Sequence, residues 1–282
     1  VSTPTTAASP AASAAYELGA LLTPGAQRRR AGALAASATF GWRAMLKIKH
    51  EPKQLADVIA LPIVFTVLFT YLFGGALGGS PGSYLKVLLP GTMVMSITIV
   101  TVYGGARLAK DVTTGVSDRF RSLSIWRGAL VLGGMLGDAL RYLTGGAVVV
   151  ILGVIIGYRP DGGAPGVIAA IALVVVFGLS LSWLWAAVAM VIPDPANLTS
   201  LGGTLLFPLA FASNIFVQPS TMPGWLQAFI KVNPVAHVTT AARDLMNNTS
   251  GAGGAVTWSL TAAAVITLIF APLAIHLYNK QE

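Results

Sequence analysis

"PGVIAAIALVVVFGLSLSWLWAAVAMVI", residues 165–192, is a run of 28 positions without one charged side chain. A soluble helix buries one apolar stripe and keeps a polar face toward water; this segment has no polar face to keep. A hydrocarbon core about 30 Å thick is crossed by roughly 20 apolar residues of helix, so the run reads as a membrane span. Five more segments read the same way: Leu55–Leu77, Tyr84–Ala106, Met135–Gly157, Leu198–Val217 and Ala255–Tyr278. The third span, Met135–Gly157, carries Asp138 and Arg141 in its first turns, but "AVVVILGVIIG" (147–157) restores it. Strands of a membrane barrel would be about ten residues long and alternating, which these are not. The expected fold is an all-α integral membrane protein with six transmembrane helices.

Composition agrees. Of 282 residues, 55% are apolar and 10% charged, with mean hydropathy +0.73, whereas soluble domains are about a quarter charged. The net charge is +8. A basic excess points to nucleic acid when it gathers in a patch on a soluble domain; here the cations flank apolar runs, so no nucleic-acid partner is expected. With no cysteine, disulfides, thiolate metal sites and thiol nucleophiles are excluded.

The cations set the orientation. Arg28, Arg29, Arg30, Arg43, Lys47, Lys49 and Lys53 precede the first span, Arg107, Lys110, Arg119, Arg121 and Arg127 lie between the second and third, and Lys280 follows the last. The opposite side has only Arg159, Lys231 and Arg243. Positive residues accumulate on the cytoplasmic side, so both termini are expected in the cytoplasm.

Around the spans, residues 1–33 are expected to form a disordered tail, rich in Ala, Ser, Thr and Pro and short of core-forming residues; residues 34–282 form the membrane domain. "LAASATFGWRAMLKIKHEPKQ" (34–54) mixes Trp42 and other apolar residues with Arg43 and Lys47. It fits an amphipathic interfacial helix on the inner leaflet, in contact with membrane lipids. Residues 218–254, on the outer side, hold two Pro-bounded pieces, "PGWLQAFIKVN" and "PVAHVTTAARDLM", beginning at Pro223 and Pro234. These are expected to be short interfacial or re-entrant helices forming an external hairpin, with Trp225 at headgroup depth; a packed external loop is the alternative.

No motif for covalent chemistry is present. There is no Gly-Lys pair, hence no G-x-x-x-x-G-K-[ST] loop, and no metal-ligand spacing among His50, His237 and His276. Asp138 and Arg141, three apart on one helix face, read as a local structural pair near the cytoplasmic interface. Lys86 and Asp57 lie near span ends and are expected to snorkel. In "PDPAN" (193–197) the prolines end the fourth helix, and Asn197 or Thr199 is expected to cap the next. Pro208 removes a backbone hydrogen bond within the fifth span and is expected to kink it. Phe211, Ser213, Asn214 and Phe216 follow, and the kinked span with its polar atoms is a candidate wall of a transport path.

Two stretches then resemble a known family. "RLAKDVTTGVSDRFRSLSIWRGALVLGGMLGDALR" (107–141) places an acidic residue, a glycine and a charged helix between two spans. "FPLAFASNIFVQPSTMPGWLQAFIKVNPVAHVTTAARDLM" (207–246) resembles a P-x-x-F-x-S … M-P-x-W-L … N-P … R block, here ending on Asn233, Pro234 and Arg243. With the order of amphipathic helix, six spans and external hairpin, the chain resembles the membrane-spanning subunit of a type-2 ABC exporter, nearest the daunorubicin-resistance permease branch, over roughly residues 34–280. Where that family often has Glu and Gly-Thr, this chain has Asp111 and Gly115-Val116.

The resemblance implies a permease in a bacterial cytoplasmic membrane that pairs with a second copy or paralogue and binds two copies of a cytoplasmic ABC ATPase. A coupling helix at about Thr114–Ile125 would dock into that ATPase, with Asp111, Gly115, Asp118, Arg119, Phe120 and Arg121 at or near the contact. No cofactor is expected on this chain, and the chain is not expected to be an enzyme; ATP and Mg²⁺ belong to the partner. The expected cargo is a hydrophobic drug or lipid moving outward. A lipid-linked glycan permease and a non-catalytic assembly or immunity protein are the alternatives.

Overall fold

The computed structural model describes residues 52–114, 129–217, 219–249 and 252–280. All regular structure there is helical: α1 (Pro52–Gly78), α2 (Pro81–Thr113), α3 (Ala129–Ile156), α4 (Gly163–Val191), α5 (Pro195–Phe211), α6 (Gly224–Ile230), α7 (Pro234–Asn247) and α8 (Ala252–Lys280), with a 3-10 turn at Pro219–Thr221. Among the described residues, Pro81–Thr113, Leu132–Ile156, Gly163–Val191 and Gly253–Tyr278 are long and apolar enough to cross a membrane. The apolar part of α1, Pro62–Gly78, is shorter.

α2 is the central post. It packs against α1, α3, α4, α5 and α7 and is buried along most of its length. Leu85, Leu88, Leu89, Met93 and Ile97 join Tyr142, Val174 and Phe177 in the main core. α8 packs on α4 and α7 but leaves Leu260, Val265, Leu268, Ile269 and Leu273 exposed. An outer helix of this apolar character is stable only where its surroundings are apolar too, as lipid is.

Local chemistry explains the helix ends. Ser80 caps α2 by accepting from the Ser83 N–H at 3.2 Å, with Pro81 in the first turn. α2 runs past Ala106 to Thr113, so Asp111 lies in its last turn and not in a separate loop. The cap of α5 is Asp194, accepting from the Ala196 N–H at 2.9 Å with Pro195 behind it, and not Asn197 or Thr199. The Asp-Pro pair is the stronger stop-and-start signal because Pro195 needs no partner for an N–H it lacks.

The fifth segment also departs from expectation. Its helix stops at Phe211, and residues 212–217 turn instead of continuing to Val217. Pro208 therefore sits in the last turn of a 17-residue helix. Beyond it the chain folds back until Ile215 lies on Gly91 of α2, where a Cβ on that glycine would stand 2.7 Å from the Ile215 carbonyl oxygen.

Candidate functional site

At one end of the bundle lie the α1–α2 turn, the α3–α4 loop and residues 212–249. They are joined by polar contacts. Tyr84 donates to the Phe216 carbonyl at 3.0 Å. Tyr158 donates to Asn247 Oδ1 at 2.9 Å, and Asn247 Nδ2 donates to the Lys86 carbonyl at 2.9 Å. Lys86 pairs with Asp161 at 2.6 Å across the α2 start and the α3–α4 loop, so it is held by a partner and does not simply snorkel. The side chain of Asp57 lies outside the described residues.

Asn233 and Arg243 organise this end. Asn233 Oδ1 accepts from the Val235 N–H at 2.9 Å and caps α7, with Pro234 in its first turn. Its Nδ2 donates to the Leu209 carbonyl at 3.0 Å and leans on that of Ala212 at 3.4 Å. These belong to the carbonyls that α5 orphans by stopping, so one side chain starts α7 and finishes α5. Arg243 Nη2 donates to the Val87 carbonyl at 2.9 Å and the Asn214 carbonyl at 2.7 Å. Burial pulls its guanidinium down to about 10, with Asp244 and Tyr84 opposing; it stays charged at neutral pH. Asn214 itself is buried and donates to Thr240 at 2.7 Å. Its Oδ1 and the Arg243 Nε are buried without partners among the described residues. Ser213 is buried and turned back onto the Ala210 carbonyl.

The segment expected on the outer side forms two short helices, α6 and α7. α7 is amphipathic and packs into α2, α4 and α8 through Val235, Val238, Ala242 and Met246. α6 packs chiefly on the 3-10 turn. Pro223 caps α6 without a side-chain bond, and Trp225 projects, 74% exposed.

Beside this polar end runs a chain of aromatic rings. On α1, Phe65 stacks on Phe69 at 5.5 Å, and Phe69 meets Phe73 at 5.3 Å with the rings tilted. Phe69 stacks on Phe216 at 4.5 Å, Phe216 meets Phe211 at 4.9 Å, and Phe211 stacks on Phe207 at 4.5 Å. Phe216 is 7% exposed, whereas Phe211 and Phe207 open outward. Below them a cleft of about 180 Å³ lies between α1, α2 and α5, lined by Phe65, Ile99, Val102, Tyr103, Leu206 and Phe207. Its walls hold no ionisable group but the Tyr103 phenol. The arrangement can accept a flat apolar molecule by stacking; among the described residues no cluster of metal-ligating side chains occurs.

The sequence had marked Pro208, Phe211, Ser213, Asn214 and Phe216 as one wall. The structure puts Phe211 and Phe216 in the ring chain, while Ser213 and Asn214 turn into the packed end. Phe65, Phe69 and Phe73 were missed, although their i, i+4 spacing on one helix face was readable.

At the other end, Asp138 is buried between two guanidiniums. Arg141 Nη1 donates to its Oδ1 at 2.8 Å, and Arg107 of α2 pairs with the same oxygen. The i, i+3 pair was legible; the third member, 31 positions away, was not. Asp111 is half-buried. Gly115, Asp118, Arg119, Phe120 and Arg121 lie outside the described residues, as do Trp42, Arg43 and Lys47 and the expected tail.

Comparison with known proteins follows the same lines. The family described as "ABC-2 type transporter" matches residues 36–247. The chain is 43% identical over 266 residues, 94% of each protein, to the "Daunorubicin resistance ABC transporter permease protein DrrB1" of Streptomyces coeruleorubidus. It is 24% identical over 186 residues to the "Doxorubicin resistance ABC transporter permease protein DrrB" of Mycobacterium tuberculosis, covering 66% of this chain and 64% of that one.

Proposed function

The chain belongs to the ABC-2 type transporter family, and on that premise we propose how it works as the permease subunit of a drug exporter. Two copies, or a copy and a paralogue, form the path, and two copies of a separate cytoplasmic ATPase supply the work. Residues 114–125 dock into that ATPase, with Arg119 and Phe120 as the polar and apolar halves of the contact. ATP and Mg²⁺ are held by the partner. α1 and α5 cross the bilayer together with the four longer helices, the termini face the cytoplasm, and the α6–α7 segment dips into the outer leaflet.

The observation that carries this reading is the apolar cleft between α1, α2 and α5, continuous with the ring chain through Phe65 and Phe207. A planar hydrophobic cargo gains by leaving water and stacking, and loses nothing to buried charge. Daunorubicin, named for the relative at 43% identity, is an apt probe.

The test is co-expression with a candidate ABC ATPase from the same genome, reconstitution in lipid nanodiscs, and measurement of co-elution and ATP turnover. The native pair is expected to co-elute and hydrolyse ATP. Arg119→Glu with Phe120→Ala is expected to lose both. If this double variant behaves as the native chain, residues 114–125 are only a solvated connector and the docking assignment fails.

A further inference from the structure

We propose that Asp138 is a positioning residue for energy coupling: it locks α2 to α3 so that force arriving at the segment between them moves both as one lever. The inference rests on the permease reading above. α2 delivers the chain into residues 115–128 and α3 receives it. Any load on that segment is therefore shared by two helices, and it is transmitted only if they do not slide past each other.

Three observations place the lock at Asp138. Its carboxylate is nearly buried and takes one guanidinium from each helix, Arg107 from α2 and Arg141 from α3. The backbone is shaped to admit it: a Cβ on Gly104 would stand 2.7 Å from Asp138 Oδ2, so α2 has no side chain where the carboxylate approaches. The same level is braced behind. Tyr142, next to Arg141, shares a 2.7 Å hydrogen bond with Ser182 of α4, and Gly105, next to Gly104, brings α2 against Trp185 of α4, where a Cβ would stand 2.8 Å from the tryptophan Cβ.

The cluster is poorly explained as a stabilising device alone. Two cations share one anion, and a buried ion pair is often no more stabilising than apolar residues of the same volume. What a carboxylate bracketed by two guanidiniums supplies is a fixed register between helices, because sliding α2 against α3 would strip it from one of them.

The experiment uses the full chain with its ATPase in nanodiscs or proteoliposomes, with daunorubicin as the probe and three readouts: thermal stability, ATP turnover, and daunorubicin moved per ATP hydrolysed. Asp138→Asn keeps shape and removes the charge. Gly104→Ala keeps every charge and displaces the carboxylate. Both variants are expected to co-purify with the ATPase and hydrolyse ATP at near-native rates, while transport per ATP falls about tenfold, within the range by which residues along a coupling network act. Arg107→Lys, which keeps a donor to Asp138, is expected to fall less. A native transport ratio in Asp138→Asn would overturn the inference. So would a loss of stability, ATPase binding and transport all together in both variants, since the role would then be structural. If even the native chain binds no ATPase, the permease reading fails, and this inference with it.

Discussion

Asn233 shows how much one side chain carries. It caps α7 through its Oδ1 and covers the end of α5 through its Nδ2. Replacing it with Ala removes the cap, which costs about 1 kcal/mol, and leaves a part-buried carbonyl short of a donor, which costs a further ~1 kcal/mol. Asn233→Ala is expected to lower the unfolding temperature of the purified chain by about 5 °C, and differential scanning fluorimetry in detergent reads it; an unchanged value would remove Asn233 from this role. Tyr158 makes a pH prediction. Burial, and secondarily Asp161, push its phenol up to about 12, while the unfolded phenol ionises near 10. Its contribution is therefore complete below pH 10 and is lost as pH rises toward 12. The stability advantage of the native chain over Tyr158→Phe should hold from pH 8 to 10 and shrink above it; an advantage that declines already below pH 9 would contradict the assignment. Asn233 and Arg243 could be picked out from the sequence only as members of a block. Their partners are backbone carbonyls of other elements, Leu209, Val87 and Asn214, and no pattern of side chains announces a carbonyl.

Among the elements, α4 was the easiest to read and α5 the hardest. α4 is helical from Gly163 to Val191, close to the uncharged run seen in the sequence, because apolar length alone sets a span. α5 keeps the same apolarity to Val217, yet its helix ends at Phe211, where the Ala212 N–H closes on the Pro208 carbonyl. Hydropathy cannot tell a helix from an apolar turn buried by neighbours, and residues 212–217 are such a turn. The ring chain depends on that turn, since it sets Phe216 between Phe69 and Phe211. Phe216→Ala, in a packed site, is expected to destabilise the chain by about 3–5 kcal/mol. Phe211→Ala, at a site 39% exposed, should leave the unfolding temperature nearly unchanged and weaken daunorubicin-stimulated ATP turnover. Equal effects of the two on stability would contradict the division between packed and open rings.

The molecule as a whole has two polar ends joined by a buried post. α2 runs from the knot of Tyr84, Arg243 and Asn247 to the lock of Arg107 and Asp138, so both ends bear on one helix. The absence of cysteine makes sidedness directly readable. A single cysteine at Thr114 should react with a membrane-impermeant maleimide only from the cytoplasmic face, and one at Arg159 only from outside; the reverse labelling would invert the topology. Membrane character was legible because hydropathy acts along the chain, and cation placement supplies the orientation that this labelling tests. The cleft between α1, α2 and α5 was not, because it exists only where three separate helices meet. The most direct measurement of the central claim is daunorubicin accumulation in inside-out membrane vesicles carrying this chain with or without its ATPase. The account predicts ATP-dependent accumulation when both are present and none with either alone. Accumulation by this chain alone, or none with both, would contradict it.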